Sequence, residues 1–218
     1  MDNVIEKYLW SEISKIPDIP GVYAWYFVPE ITDFDLHHVL EKITNVKKKQ
    51  GYNEAAGIVR EFLDKNLFSV FKEEPYNVEL CGQLKPRYHG QIQHVINISD
   101  SLVERFVDEP KRLKLVKKVI EKTAPHFASP IYIGMSETLG TRLRRHKLLI
   151  EKYRSESRYD KYSNADDKDN SFAKEVCKRN LSPSRLVVYI DAIKTDEKIC
   201  VDIENMLNRI YFPILGRN

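Results

Sequence analysis

The stretch "SPIYIGMSETLGTRLRRHK" at 129–147 decides how the chain is read. "PIYIG" is a short apolar run with a mid-strand tyrosine, Tyr132, closed by Gly134. Ser136 is an N-cap residue type, and it predicts a helix over 137–152. A strand therefore runs straight into a basic helix. A second run of the same kind, "GVYAWYF" at 21–27, carries Tyr23 in mid-strand. More than a hundred positions separate the two tyrosines.

Working outward, residues 2–16 read as a short helix with a stripe of Ile5, Tyr8 or Leu9, and Ile13, broken by "PDIPG". "DLHHVLEKITNVKKK" is a helix with Leu36, Val39, Leu40 and Ile43 on one side, and "NEAAGIVREFLDKNLFSVF" is another. "YNVELCG" and "HGQIQHVINI" read as two strands, a hairpin with a long loop around "QLKPRY". Helix returns over 100–122 and is interrupted near Pro110. Beyond the basic helix, 154–170 is a polar exposed loop. A helix at 171–179, the strand "SRLVVYIDAI" and a last helix to Tyr211 follow. Ile199, Ile203, Leu207 and Ile210 form one buried stripe on that helix.

Composition narrows the class. With 218 residues, 42% of them hydrophobic, the chain can bury one core plus an inserted subdomain. It contains no internal repeat and no low-complexity linker, which argues against tandem domains. Cys81, Cys177 and Cys200 form neither a disulfide framework nor a zinc pattern, so a reducing, cytoplasmic setting is expected. The N-terminus has no apolar signal region, and no stretch approaches a membrane span. The net charge is only +3, but 101–150 holds eleven Lys or Arg against five Asp or Glu. That surplus suits a polyanion or a solvated helix surface.

Leu139, Leu143 and Ile150 can face a core, which leaves Arg142 and His146, four apart, sharing another face. If strand and helix pack together, the Tyr132 hydroxyl, the guanidinium and the imidazole reach one cleft. Tyrosine can donate or accept a proton near a phosphate, and arginine can grip one through two nitrogens. Packed tyrosines and a solvated Arg/His pair are the plain alternative. Glu204 borders the last helix's stripe and reads as a surface charge or as an oxygen ligand for a divalent metal.

These residues resemble the GIY-YIG nucleases. The first motif is Gly21-Val22-Tyr23 and the second Tyr132-Ile133-Gly134. Arg142 follows the second tyrosine by ten residues, His146 comes a turn later, Glu204 lies on a later helix, and Asn218 follows Pro213. The resemblance covers roughly 20–28, 130–150 and 185–218. It departs from the family in the spacing of the two tyrosine strands, which family members place some ten to thirty residues apart.

The fold so implied is α/β: a small, mostly antiparallel three-stranded sheet flanked by helices, with a long mixed α/β insertion between the first two core strands. Residues 1–28 would begin the catalytic core, 29–129 would be an inserted subdomain for DNA recognition, and 130–218 would complete the core. The activity implied is Mg²⁺- or Mn²⁺-dependent hydrolysis of double-stranded DNA. Glu204 would be the metal ligand; Tyr23, Tyr132, Arg142, His146 and Asn218 would complete the site. A restriction enzyme acting as a homodimer, or assembling on DNA, fits the stand-alone layout. A structure-selective DNA or RNA nuclease and a non-cutting nucleic-acid binder are the alternatives.

In the insertion, "KPRYHGQIQH" offers Lys85, Arg87, His89, Gln91 and Gln93 as residues able to read base edges. Lys47, Lys48, Lys49, Lys111, Arg112, Lys114, Lys117 and Lys118 are candidate backbone contacts, as are Arg145 and Lys147 beside the core site. A solvated hairpin loop and solvated helix faces are the plain alternative for these residues.

Overall fold

In the computed structural model, β1 (Glu6–Leu9) and a 3₁₀ turn (Trp10–Lys15) lead into β2 (Gly21–Phe27). Helices α1 (Asp33–Lys49) and α2 (Tyr52–Leu63) follow, then the hairpin of β3 (Tyr76–Gly82) and β4 (Lys85–Ile92). Next come α3 (Asp100–Asp108), α4 (Arg112–Thr123), β5 (Tyr132–Ser136), α5 (Leu139–Glu156) and α6 (Ser171–Lys178). β6 (Leu186–Ala192) and α7 (Glu197–Tyr211) close the chain. The structure describes residues 5–49, 51–73, 75–82, 85–124, 126–156, 171–193 and 197–216. Among them, no helix is long and apolar enough to cross a membrane.

Two compact units divide the chain: Met1–Pro29 with Glu121–Asn218, and Glu30–Ile120. The first holds a four-stranded antiparallel sheet in the order β1-β6-β2-β5. The three-stranded expectation is corrected by β1, which lies where a helix over 2–16 was expected. Its physical reason is the open edge of β6, whose backbone groups Tyr8 and its neighbours pair with, Tyr8 opposite Val188. Of the apolar residues that suggested a helix, Ile13 is buried in the turn, whereas Ile5 and Leu9 are exposed.

β2 is a central strand that pairs with β5 on one side and β6 on the other. The register sets Tyr23 opposite Gly134 and Trp25 opposite Tyr132, so both tyrosines project from the same sheet face. A Cβ on Gly21 would stand 2.2 Å from the Asp191 carbonyl oxygen, so the close approach of β6 requires glycine there. The core on the tyrosine face gathers Trp25, Val188 and Ile190 with Leu139, Leu143, Ile150, Phe172 and Val176.

The Asp18 carboxylate anchors α5 at its start. It accepts from the backbone N–H of Thr141, from the Thr141 hydroxyl at 3.0 Å and from Arg144 at 2.7 Å. Arg144 also donates to the Ile16 carbonyl at 3.2 Å. A side chain from the "PDIPG" break thus does for α5 what an N-cap does.

The second unit buries Leu36, Val39 and Ile43 of α1, Val59, Phe62 and Leu63 of α2, Val103, Phe106 and Val107 of α3, and Leu113 of α4 in one cluster. The α2 spacing continues through a π turn (Asp64–Phe68) and a 3₁₀ turn (Ser69–Phe71). β4 begins at Lys85, four residues before the expected strand, so "KPRY" belongs to the strand and not to a long loop.

We expect Asp18→Ala to lower the urea midpoint of the chain, while Asp18→Asn, which keeps one acceptor, lowers it less. Urea melts of the three proteins at neutral pH check this.

Candidate active site

Five of the residues singled out in the sequence converge in the first unit. Tyr23 comes from β2, Tyr132 from β5, Arg142 and His146 from α5, and Glu204 from α7. The Tyr23 hydroxyl lies 2.9 Å from His146 Nε2. The Tyr23 and Tyr132 ring centroids are 6.1 Å apart, and the His146 ring lies 5.8 Å from one and 5.9 Å from the other. Arg142 and Glu204 both act electrostatically on the Tyr23 phenol, the first favouring and the second opposing its ionisation. Asn218 lies outside the described residues. The segment just before it returns to the sheet, where Leu215 N–H donates to the Ile131 carbonyl at 2.8 Å.

Gly134 makes this packing possible. A Cβ there would stand 2.6 Å from the Tyr23 hydroxyl oxygen and 2.7 Å from its ring. The glycine is the floor on which the phenol lies.

His146 corrects one expectation. It does not sit on a separate face with Arg142. Leu139, Leu143, His146 and Ile150 form one buried stripe at spacings of four, three and four, and His146 is 2% exposed. Its reason is chemical: the imidazole can occupy a core position because Tyr23 satisfies its Nε2. Arg142 is half-buried to one side.

The last helix carries the second correction. Ile199 and Ile210 are 42% and 60% exposed, so the expected stripe is not buried. The inward side runs through Cys200, Ile203, Glu204, Leu207 and Asn208. Rotating the helix this way leaves apolar residues in water and turns Glu204 inward. The Asn208 amide donates to the Glu204 carbonyl at 3.0 Å.

Burial sets the protonation states. It raises the Tyr23 phenol well above its ordinary value, with Tyr132 adding to the effect and Arg142 opposing it. Burial also pulls His146 from 6.5 down to about 3, helped by Arg142 and Arg145. Both groups are therefore neutral at pH 7, and one proton is shared across the 2.9 Å contact between the Tyr23 hydroxyl and Nε2. Burial raises Glu204, and Arg142 opposes that shift. A half-buried carboxylate of this kind gains from a cation. As a lone acidic ligand it suits Mg²⁺, which keeps most of its waters and binds phosphate oxygens. Among the described residues, no three His, Cys, Asp or Glu side chains group to form a closed metal cage.

Phe172 of α6 was not anticipated. Its ring lies 4.7 Å from Tyr132, 5.2 Å edge-on to His146 and 5.5 Å stacked on Trp25. Phe172 stands two residues past a polar run, and nothing in its sequence neighbours marks it as more than a core residue. It closes the site from the helix side.

The candidate DNA contacts divide. Lys147 is turned inward, donating to the Trp10 carbonyl at 3.3 Å with its ammonium 5.5 Å from the Trp10 ring centre. Lys47 pairs with Asp108 and donates to the Val107 carbonyl at 3.1 Å, so its ammonium satisfies a carbonyl in the last turn of α3. Lys117 pairs with Asp33, and Arg112 with Glu109 at 2.6 Å. Arg145, Lys48, Lys49, Lys111, Lys114 and Lys118 are exposed, as are Arg87, His89, Gln91 and Gln93. Lys85 opens β4. Comparison with family models, with curated proteins and with solved structures finds no match for the chain.

Two outcomes follow from the buried pair. Gly134→Ala must displace the phenol and should cost about 1–3 kcal/mol, read from urea melts. The unfolded chain binds a proton at His146 near pH 6.5, whereas the folded chain binds it only near 3. The stability this group contributes is thus full above pH 6.5 and is lost as pH falls toward 3. Between pH 6 and 4 the native chain should lose up to about 1.4 kcal/mol per pH unit more than His146→Gln. Parallel stability curves for the two proteins would refute the assignment.

Proposed function

We propose that the chain is a divalent-metal-dependent endonuclease of the GIY-YIG kind, hydrolysing DNA phosphodiester bonds at a specific sequence as a restriction enzyme does. The observation that carries this reading is the convergence at one place of Tyr23, Tyr132, Arg142, His146 and Glu204. The resemblance implies that same set. The unit Glu30–Ile120, inserted after β2, supplies room for recognition beyond the core.

Glu204 is the residue that would hold Mg²⁺ or Mn²⁺. When bound, the ion would offset charge on the phosphate and on the leaving 3′ oxygen. Arg142 would grip non-bridging phosphate oxygens and stabilise the charge that builds on them. Tyr23 and His146 form a proton relay. As the attacking water bonds to phosphorus, its proton passes to the Tyr23 oxygen while the Tyr23 proton passes to His146 Nε2. The P–O3′ bond breaks, the 3′ oxygen takes a proton from solvent, and the imidazolium later returns its proton. The low affinity of His146 for a proton makes that return fast, and the phosphate's negative charge raises the affinity during the reaction. Tyr132, half-buried beside both groups, would orient the water.

Digestion of unmethylated phage and plasmid DNA with and without Mg²⁺ tests this. Discrete metal-dependent fragments are expected. Glu204→Ala and Arg142→Ala should each reduce the rate by about a hundredfold or more, and Tyr23→Phe by a similar factor, read beside a urea melt because His146 Nε2 loses its partner. Cutting that survives Glu204→Ala would overturn the site. Cutting confined to branched DNA or RNA would move the activity to a structure-selective nuclease.

A further inference from the structure

The hairpin of β3 and β4 is a two-stranded ribbon sorted into two faces. Tyr76 pairs with Ile92, Val78 with Gly90 and Leu80 with Tyr88, forming an apolar row. Asn77 pairs with Gln91 and Glu79 with His89, forming a polar row on the opposite face, which Arg87 and Gln93 extend. Every described side chain of the ribbon is exposed except Val78, which is half-buried. A two-stranded ribbon is marginal in water by itself, so one kept bare on both faces implies a partner.

We propose that the polar face of this ribbon enters the major groove of duplex DNA and reads base edges. The inference rests on the nuclease reading for its substrate, but its geometry is independent of the catalytic site. The row consists of planar hydrogen-bonding groups: three carboxamides, an imidazole, a guanidinium and a carboxylate. Amides match adenine, arginine matches guanine, and a carboxylate matches the cytosine amino group. Cross-strand contacts hold these groups in place. The Gln91 amide donates to Asn77 Oδ1 at 3.1 Å, and Arg87 lies 3.7 Å from Glu79. Two strands about 4.8 Å apart fit a groove about 12 Å wide. Successive readers on one strand stand about 6.8 Å apart, which matches two base-pair steps of about 3.4 Å. Exposed lysines of the same unit, Lys48, Lys49, Lys111, Lys114 and Lys118, supply cations for phosphates.

The test selects binding sequences from a random duplex library with the full-length Glu204→Ala protein. It is repeated with Asn77→Ala/Gln91→Ala and with Arg87→Ala added to that background. The parent should enrich a short motif. Each variant should lose specificity at some of its positions, with five- to hundredfold weaker preference there and an unchanged thermal melt. The same motif at the same strength in both variants overturns the proposal, and so does a parent that enriches none. If the motif is unchanged while Tyr88→Ser alters sedimentation, the ribbon joins copies of the chain instead. Whether the native chain cuts DNA is read separately. A selected motif without cutting leaves the ribbon standing and removes the nuclease reading.

Discussion

The first unit is organised around the buried hydrogen bond between the Tyr23 hydroxyl and His146 Nε2. Two polar side chains sit in the middle of an apolar core, and each is tolerable only because the other is there. The bond demands that Tyr23 lie flat across β5, which demands a residue without a side chain at 134. It demands that α5 present its core stripe to the sheet, which the Asp18 anchor at the helix start holds in register. It also fixes both groups as neutral, since burial opposes charge on either one. Arg142 and Glu204 then stand beside a neutral tyrosine–histidine pair.

The distance between the two tyrosine strands in sequence has little structural cost. β2 is finished before the chain leaves it, and its neighbours arrive later from both sides. Everything between Phe27 and Tyr132 is a single excursion, most of it a helical unit with its own core. Closing so long a loop costs entropy that grows only with the logarithm of length, so the sheet can tolerate the insertion. That excursion carries the bare ribbon and, among the described residues, most of the exposed lysines, while the residues of the candidate active site all lie outside it.

Several features were legible because they depend on neighbours in sequence. The strand at 21–27, the strand-to-helix turn at 132–139 and the break at Pro110 follow from local composition, turn residues and periodicity. The spacing of Tyr132, Arg142 and His146 was legible as well, as was the candidacy of Glu204. Periodicity states which residues share a face. It does not state which face a helix turns inward, because the stripe with the most carbon is not always the one the sheet selects.

The misread elements turn on contacts with distant parts of the chain. Residues 6–9 carry too little pattern to declare a strand; the open edge of β6 made them one. On α7, Ile199 and Ile210 looked like core, yet the helix buries Cys200 and turns Glu204 inward while those two remain in water. His146 looked like a polar partner for Arg142 and became a core residue because a phenol stood opposite. By itself the sequence determined most of the strands and helices and the identity of the candidate side chains, since these are set by local backbone preference and residue chemistry. Only the tertiary structure decided which of those side chains meet and which carry charge. Edge pairing, helix rotation and desolvation depend on residues far away in the chain.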